Sequence, residues 1–147
     1  MPFRNILVPI DFDETSDHAL ERAVSLASTL GARVTVLHVY GLPVYNYPDG
    51  SYIPTPEVIE NVKKGAREQL DAFVSKRRSE GVSVAALLRE GRTADEVCAA
   101  ATDMGADLIV MGTHGRGLIG RTLLGSVAEA VLRQATVPVM TVRSGTE

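Results

Sequence analysis

The sequence predicts an α/β fold: an open, three-layer parallel sheet of five strands in the order 3-2-1-4-5, with helices on both faces. Three observations carry the layered parallel sheet; the order is the one in which strands one and four are neighbours whose connections leave on opposite faces. Short apolar runs alternate with segments of helical period, the signature of βαβ units. The runs are apolar along their length, as strands covered on both faces are. A glycine-rich segment, Gly112 to Gly125, stands between one such run and a helix start, the junction where open α/β sheets bind ligands.

The elements follow in order. Ile6-Leu7-Val8-Pro9-Ile10 reads as the first strand. A helix runs from about Thr15, with Ala19, Ala23, Leu26, Ala27 and Leu30 on one face and Gly31 as its stop. Val34 to Val39 is the second strand. Tyr40 to Pro54, rich in Tyr, Pro, Gly and Asn, has neither period and reads as a long surface loop. Thr55-Pro56-Glu57 opens the second helix with a capping hydroxyl, a proline at the first helical position and an acid in the first turn. Its buried stripe is Ile59, Val62, Ala66, Leu70 and Phe73, and Gly81 ends it. Val82 to Leu88 is the third strand. Thr93-Ala94-Asp95-Glu96 reads as a capping box opening the third helix, whose inner face is Ala94, Val97, Cys98 and Ala101 and whose stop is Gly105. Asp107 to Met111 is the fourth strand. Ser126-Val127-Ala128-Glu129 reads as a second capping box, opening a helix with Ala128, Val131, Leu132 and Ala135 inward. Val137 to Val142 is the fifth strand. No internal boundary interrupts the pattern, so residues 1–147 are expected to form one domain.

Composition narrows the function. The formal net charge is -3 and 22% of residues are charged, which disfavours nucleic acid or an anionic membrane as the main partner. No apolar stretch approaches the ~18–20 residues of a membrane span. The one cysteine, Cys98, has no internal partner and sits on an apolar helical face, so a core role and a cytoplasmic location are expected. His18, His38 and His114 are scattered, and no metal site is expected.

The segment from Gly112 to Gly125 reads Gly-Thr-His-Gly-Arg-Gly-Leu-Ile-Gly-Arg-Thr-Leu-Leu-Gly and runs into Ser126. Glycines let backbone amides approach a phosphate, and a helix N-terminus adds free donors and a positive dipole end. Arg116 and Arg121, with His114 beside them, add local positive charge to an acidic chain. The connection is longer than the ~2–6 residues usual between a strand and a helix. Taken alone, Ser126 reads as a helix cap and the arginines as solvated surface charge. Spacing, position and the Gly125-Ser126 helix entry together favour a phosphate site.

Gly112-x-x-Gly115, nine intervening residues and then Gly125-Ser126 resemble the nucleotide-binding motif of the ATP-binding universal stress proteins. The resemblance covers nearly the whole chain. Ile6 to Asp11 is similar to the family's opening strand, Val36 to Val39 to its second, Gly91-Arg92-Thr93-Ala94 to the entry of its third helix, and Val137 to Met140 to its last strand. The resemblance implies an adenine nucleotide alpha hydrolase-like fold and ATP as ligand, with Mg2+ as an accompanying ion. It implies that Gly115, Gly125, Ser126 and the Val127 amide hold the phosphates. Asp11 would meet the ribose and adenine side, Val39 would present backbone to the adenine edge, Met111 and Gly112 would line the sugar end, and Pro9 would shape the pocket. Arg116 is added from its charge and placement. The resemblance also implies a homodimer through the C-terminal strand Val137–Val142, apolar on both faces and placed at a sheet edge by the expected order.

Rival readings lack their key residues. A Walker loop needs a lysine that this loop does not have. A Rossmann fingerprint belongs after the first strand, where Asp11, Asp13 and Glu14 stand instead. A response-regulator receiver needs an aspartate at the end of the third strand, which reads Leu88-Arg89-Glu90. The glycine loop contains no paired acid and base, and no catalytic residue is assigned. The leading expectation is an ATP-binding regulatory module; the alternatives are a slow or self-phosphorylating ATPase and a structural dimer carrying no ligand.

Overall fold

Uninterrupted β-branched and leucine-rich runs form the centre of the molecule. The structure is a computed structural model that describes residues 3–42, 46–47, 50–51, 54–78, 81–113 and 124–143. Its elements are β1 (Asn5–Ile10), α1 (Glu14–Leu30), β2 (Arg33–Tyr40), β3 (Asn46–Tyr47), β4 (Gly50–Ser51), α2 (Pro56–Lys76), β5 (Val84–Glu90), α3 (Thr93–Met104), β6 (Leu108–Gly112), α4 (Ser126–Gln134) and β7 (Val139–Val142). Five strands make one parallel sheet in the order β5-β2-β1-β6-β7. Counted as sheet strands, that is the expected 3-2-1-4-5. The Tyr40–Pro54 segment, expected to be irregular, carries a small antiparallel ladder between β3 and β4, with Tyr47 opposite Gly50.

The period-2 alternation within each strand divides the core. Ile6, Val8, Ile10, Val34, Val36 and Val110 face α1 and α2, where Ala19, Ala23, Leu70 and Val74 cover them. Leu7, Leu37, Val39, Ile109 and Met111 face α3 and α4, against Val97, Ala101, Ala128 and Val131. The chain therefore leaves β1 toward one face and β6 toward the other.

Helix ends test the local reading most sharply. Thr55 caps α2 as expected, accepting from the Val58 amide at 3.2 Å with Pro56 next in line. Gly31 and Gly105 end α1 and α3 in the left-handed conformation. Several expectations need correction. Helix α1 starts at Glu14 because the Asp13 carboxylate caps it, accepting from the Ser16 amide at 2.9 Å. Helix α2 ends at Lys76 with Arg77 as its cap, ahead of Gly81. Neither capping box forms: the cap positions are Arg92 and Gly125, without side-chain cap bonds, and Thr93 and Ser126 are already helical. The acids that would have reached back are held elsewhere, Glu96 by Arg89 at 2.8 Å and Glu129 by Arg133 at 3.1 Å. The third strand runs on to Glu90 and the fifth begins only at Val139. Leu132, expected inward, is 44% exposed.

Candidate functional site

Proline decides where the sheet opens. The Asn5 carbonyl accepts from the Asp107 amide at 2.9 Å on the β6 side, whereas the Arg4 carbonyl accepts from the Arg33 amide at 2.8 Å on the β2 side. Backbone groups alternate sides along a strand, so Pro9 faces β6 with the donor it lacks. The β1–β6 ladder pairs Ile6 with Leu108 and Leu7 with Ile109, while β1 stays paired to β2 as far as Ile10. A proline in a central strand, normally excluded, thus marks the end of the β1–β6 ladder, at the point where the two chains leave for opposite faces.

Of the expected residues, Asp11, Val39, Met111 and Gly112 lie at or next to the strand ends beside that opening. Val39, 9% exposed, and Met111, 5% exposed, share the core cluster on the α3–α4 side, and Val127 packs against it. The Tyr40 carbonyl accepts from the Gly91 amide at 3.0 Å on the β5 side. By the same alternation Val39 turns its backbone groups toward β1, which ends at Ile10. Gly112 ends β6 against the first turn of α1. A β-carbon built on it would lie 2.5 Å from Thr15 Oγ1 and 2.7 Å from Thr15 Cβ.

Asp11 is tied to the same turn. Its amide donates to Ser16 Oγ at 3.0 Å, and its Oδ1 accepts from the Ser16 hydroxyl at 3.0 Å and the Asp13 amide at 3.3 Å. Burial, together with the neighbouring Asp13, pushes the Asp11 carboxyl above its ordinary value. Burial acts on Asp13 in the same sense, but hydrogen bonds from Asp11, Ser16 and Thr15 outweigh it and hold Asp13 below its ordinary value. The two groups therefore act oppositely on stability. Asp13's contribution is present above the ordinary 3.8 and is lost as pH falls through its lower folded value. Asp11's contribution is present below 3.8 and is lost as pH rises through its higher folded value. An Asp11→Asn variant, which keeps the acceptor oxygen, is accordingly expected to be more stable than the parent at pH 7. Urea unfolding at pH 7 checks this, and the gain should vanish below pH 3.8.

At the far end of the glycine-rich segment, the Gly125 amide donates to the Thr113 carbonyl, joining the two ends of the connection between β6 and α4. Gly125 is buried and caps α4 with φ −71° and ψ 161°. Its amide is thus committed to the chain. The next three amides, of Ser126, Val127 and Ala128, meet no protein acceptor among the described residues, and neither does the Ser126 hydroxyl. Ser126 is exposed at the first helical position, so its side chain is not used as a cap. Gly115 and Arg116, with His114 and Arg121, lie outside the described residues.

Two features escaped the sequence reading: Pro9 as the end of a ladder, and the Asp13 cap that draws Asp11 to α1. An aspartate three residues ahead of Ser16 is a legible capping signal and could have found the second. A groove of about 750 Å³ runs between α1 and α2, beside Asp17, Leu20 and Arg77. None of the expected site residues lines it. Among the described residues, no group of three His, Cys, Asp or Glu could hold a metal, and no helix is long and apolar enough to cross a membrane.

Comparison with known proteins gives a consistent result. The model of the universal stress protein family matches residues 2–143. A universal stress protein of Thermus aquaticus is 35% identical over 147 residues, covering 96% of this chain and 99% of the relative. A solved structure from the universal stress protein family of Burkholderia pseudomallei superposes with a TM-score of 0.69 at 33% identity, covering 95% of this chain and 96% of that one. A universal stress protein from Archaeoglobus fulgidus, solved in complex with dAMP, superposes with a TM-score of 0.58 at 22% identity, covering 96% and 98%.

Proposed function

The chain belongs to the universal stress protein family, and from that premise we propose that it is an ATP-binding regulatory module whose bound nucleotide alters its surface toward a partner. One observation carries the reading. At the point where the β1 and β6 connections diverge, α4 presents three amides and a serine hydroxyl that have no acceptor among the described residues. A helix N-terminus of that kind favours an anion. The dAMP complex of the Archaeoglobus protein supports an adenine nucleotide as the anion's carrier.

Charge sets the direction of the ligand. Asp11, Asp13 and Glu14 stand at the end of β1 and repel phosphates, so the phosphates belong at Ser126 and Val127, with Gly115 and Arg116 from the glycine loop. The ribose and base belong toward Asp11, Val39, Met111 and Gly112, beside the opening at Pro9. Mg2+ would accompany the phosphates.

Calorimetric titration of the purified chain with ATP tests the reading, and absence of binding overturns it. Hydrolysis divides it from a slow ATPase. Turnover is expected far below the ~10 per second typical of enzymes, because the Gly112–Gly125 loop contains no paired acid and base. A rate near that figure, removed by His114→Ala, would place the chain among enzymes.

The homodimer belongs to the same proposal. Strand β7 lies at the sheet edge, with Val139 packed on one core cluster and Met140 on the other. The Pro138 and Val142 carbonyls accept from the Ile109 and Thr113 amides, both at 3.0 Å, so even-numbered residues face β6. Val139 and Thr141 therefore turn their amides and carbonyls to the open edge, where a second copy related by a two-fold axis pairs antiparallel. Thr141→Pro removes one edge donor and leaves the β6 ladder intact. Light scattering is expected to give twice the 15.7 kDa chain mass for the parent and 15.7 kDa for the variant. A dimeric variant would move the interface elsewhere.

A further inference from the structure

Phe12 stands between the two aspartates at the end of β1 with φ of +67°, the sole positive value among the described non-glycine residues. A bulky side chain rarely adopts that conformation, and it persists only where the surroundings over-determine it. Here they do so from both ends. The Asp11 carboxylate accepts from the Asp13 amide at 3.3 Å, closing an Asx turn over Phe12. The Phe12 ring packs 4.5 Å from the His38 ring, tilted by 54°, and 5.7 Å from the Phe73 ring in an edge-on arrangement.

Each contact is itself anchored. His38 Nδ1 lies 3.2 Å from the Ile10 carbonyl, tying the end of β2 to the end of β1. The Arg77 guanidinium sits 3.9 Å over the Phe73 ring and bonds Asp17 of α1 at 2.7 Å. The ring of Phe12 is thus held between β2 and α2 while its backbone carries Asp11, and His38 directly precedes Val39.

We propose that Phe12 is the positioning residue of the nucleotide site, an aromatic wedge that holds the Asp11 carboxyl and the His38–Val39 strand end at a fixed separation. The ligand in this inference rests on the proposed function; the control of Asp11 by Phe12 does not. That separation has a function only while Asp11 is present to use it, so the loss of Phe12 matters little once Asp11 is removed.

A double-mutant cycle read by ATP calorimetry tests this, with circular dichroism reporting the fold. Phe12→Ala is expected to weaken ATP binding ~10-fold in the parent and by less than ~2-fold in an Asp11→Ala background. Equal losses in both backgrounds, or no loss in the parent, overturn the proposal. Phe12→Tyr, which keeps the ring, is expected to restore binding. The second readout needs no nucleotide. The Asp11 carboxyl, followed by NMR in the free chain, is raised in the parent and should fall toward its ordinary value in Phe12→Ala as water reaches it. An unchanged Asp11 titration overturns the role of Phe12. A parent that binds no ATP overturns the nucleotide reading instead and leaves the titration to decide Phe12. Should Phe12→Ala not fold, Phe12→Leu carries the same comparisons.

Discussion

Gly125→Val is expected to abolish ATP binding, lowering affinity at least ~100-fold, or about 2.7 kcal/mol, in a chain that remains folded. Gly125 is the residue before the three open amides of α4, and its own amide is committed to the Thr113 carbonyl. Its φ of −71° and ψ of 161° are extended values that valine adopts readily. The glycine is therefore not required by the backbone conformation. What it provides is the absence of a side chain at the mouth of a phosphate-binding helix, where the donors act only at contact distance. Because Gly125 is buried, the smaller Gly125→Ala serves as the second variant, with the same direction and a lesser loss. Calorimetry measures both, and circular dichroism establishes that they fold. Parental affinity in a folded Gly125→Val chain would exclude the proposed site.

Gly112→Val is expected to act on stability first. The end of β6 approaches α1 so closely that a β-carbon at Gly112 would lie 2.7 Å from Thr15 Cβ and 2.5 Å from Thr15 Oγ1. Thr15 is 7% exposed, and its hydroxyl donates to Asp13 Oδ1 at 2.9 Å. The obstacle is the root of a buried side chain rather than a flexible tip, so α1 has to move away from the sheet or give up part of its cap. Overpacking of this kind costs roughly 1–3 kcal/mol. Urea unfolding should show a lower midpoint with an unchanged slope. Gly65, exposed within α2 with nothing within 4 Å of a built β-carbon, is the control. Gly65→Ala should stabilise by about 0.5–1 kcal/mol. Equal effects at the two glycines would refute the close-approach account.

Much of the fold was legible because its signals are local. The apolar strands, the cap at Thr55 and the left-handed stops at Gly31 and Gly105 each depend on a few consecutive residues and appear where the pattern puts them. The capping boxes at Thr93 and Ser126 matched an equally local pattern and failed. Glu96 has a better partner in Arg89, a half-buried arginine delivered by β5, whose pKa is raised by its bonds to Glu96 and Asp103. A competition between two donors for one carboxylate cannot be read from four residues. The failure at Ser126 bears on function, since a serine that is not a cap keeps its hydroxyl for a ligand.

By itself, the sequence determined the layering and the glycine-rich junction between β6 and α4, because apolar periodicity and helix breakers act within a few residues. The tertiary structure decided three things. Pro9 faces β6 rather than β2, so the sheet parts on that side. Asp11 is drawn to Ser16 and partly buried, so its charge is costly and poised. Phe12 is forced into a left-handed turn between His38 and Phe73. Each of these depends on which neighbour the sheet places alongside, and strand neighbours in a parallel sheet lie tens of residues apart in the chain.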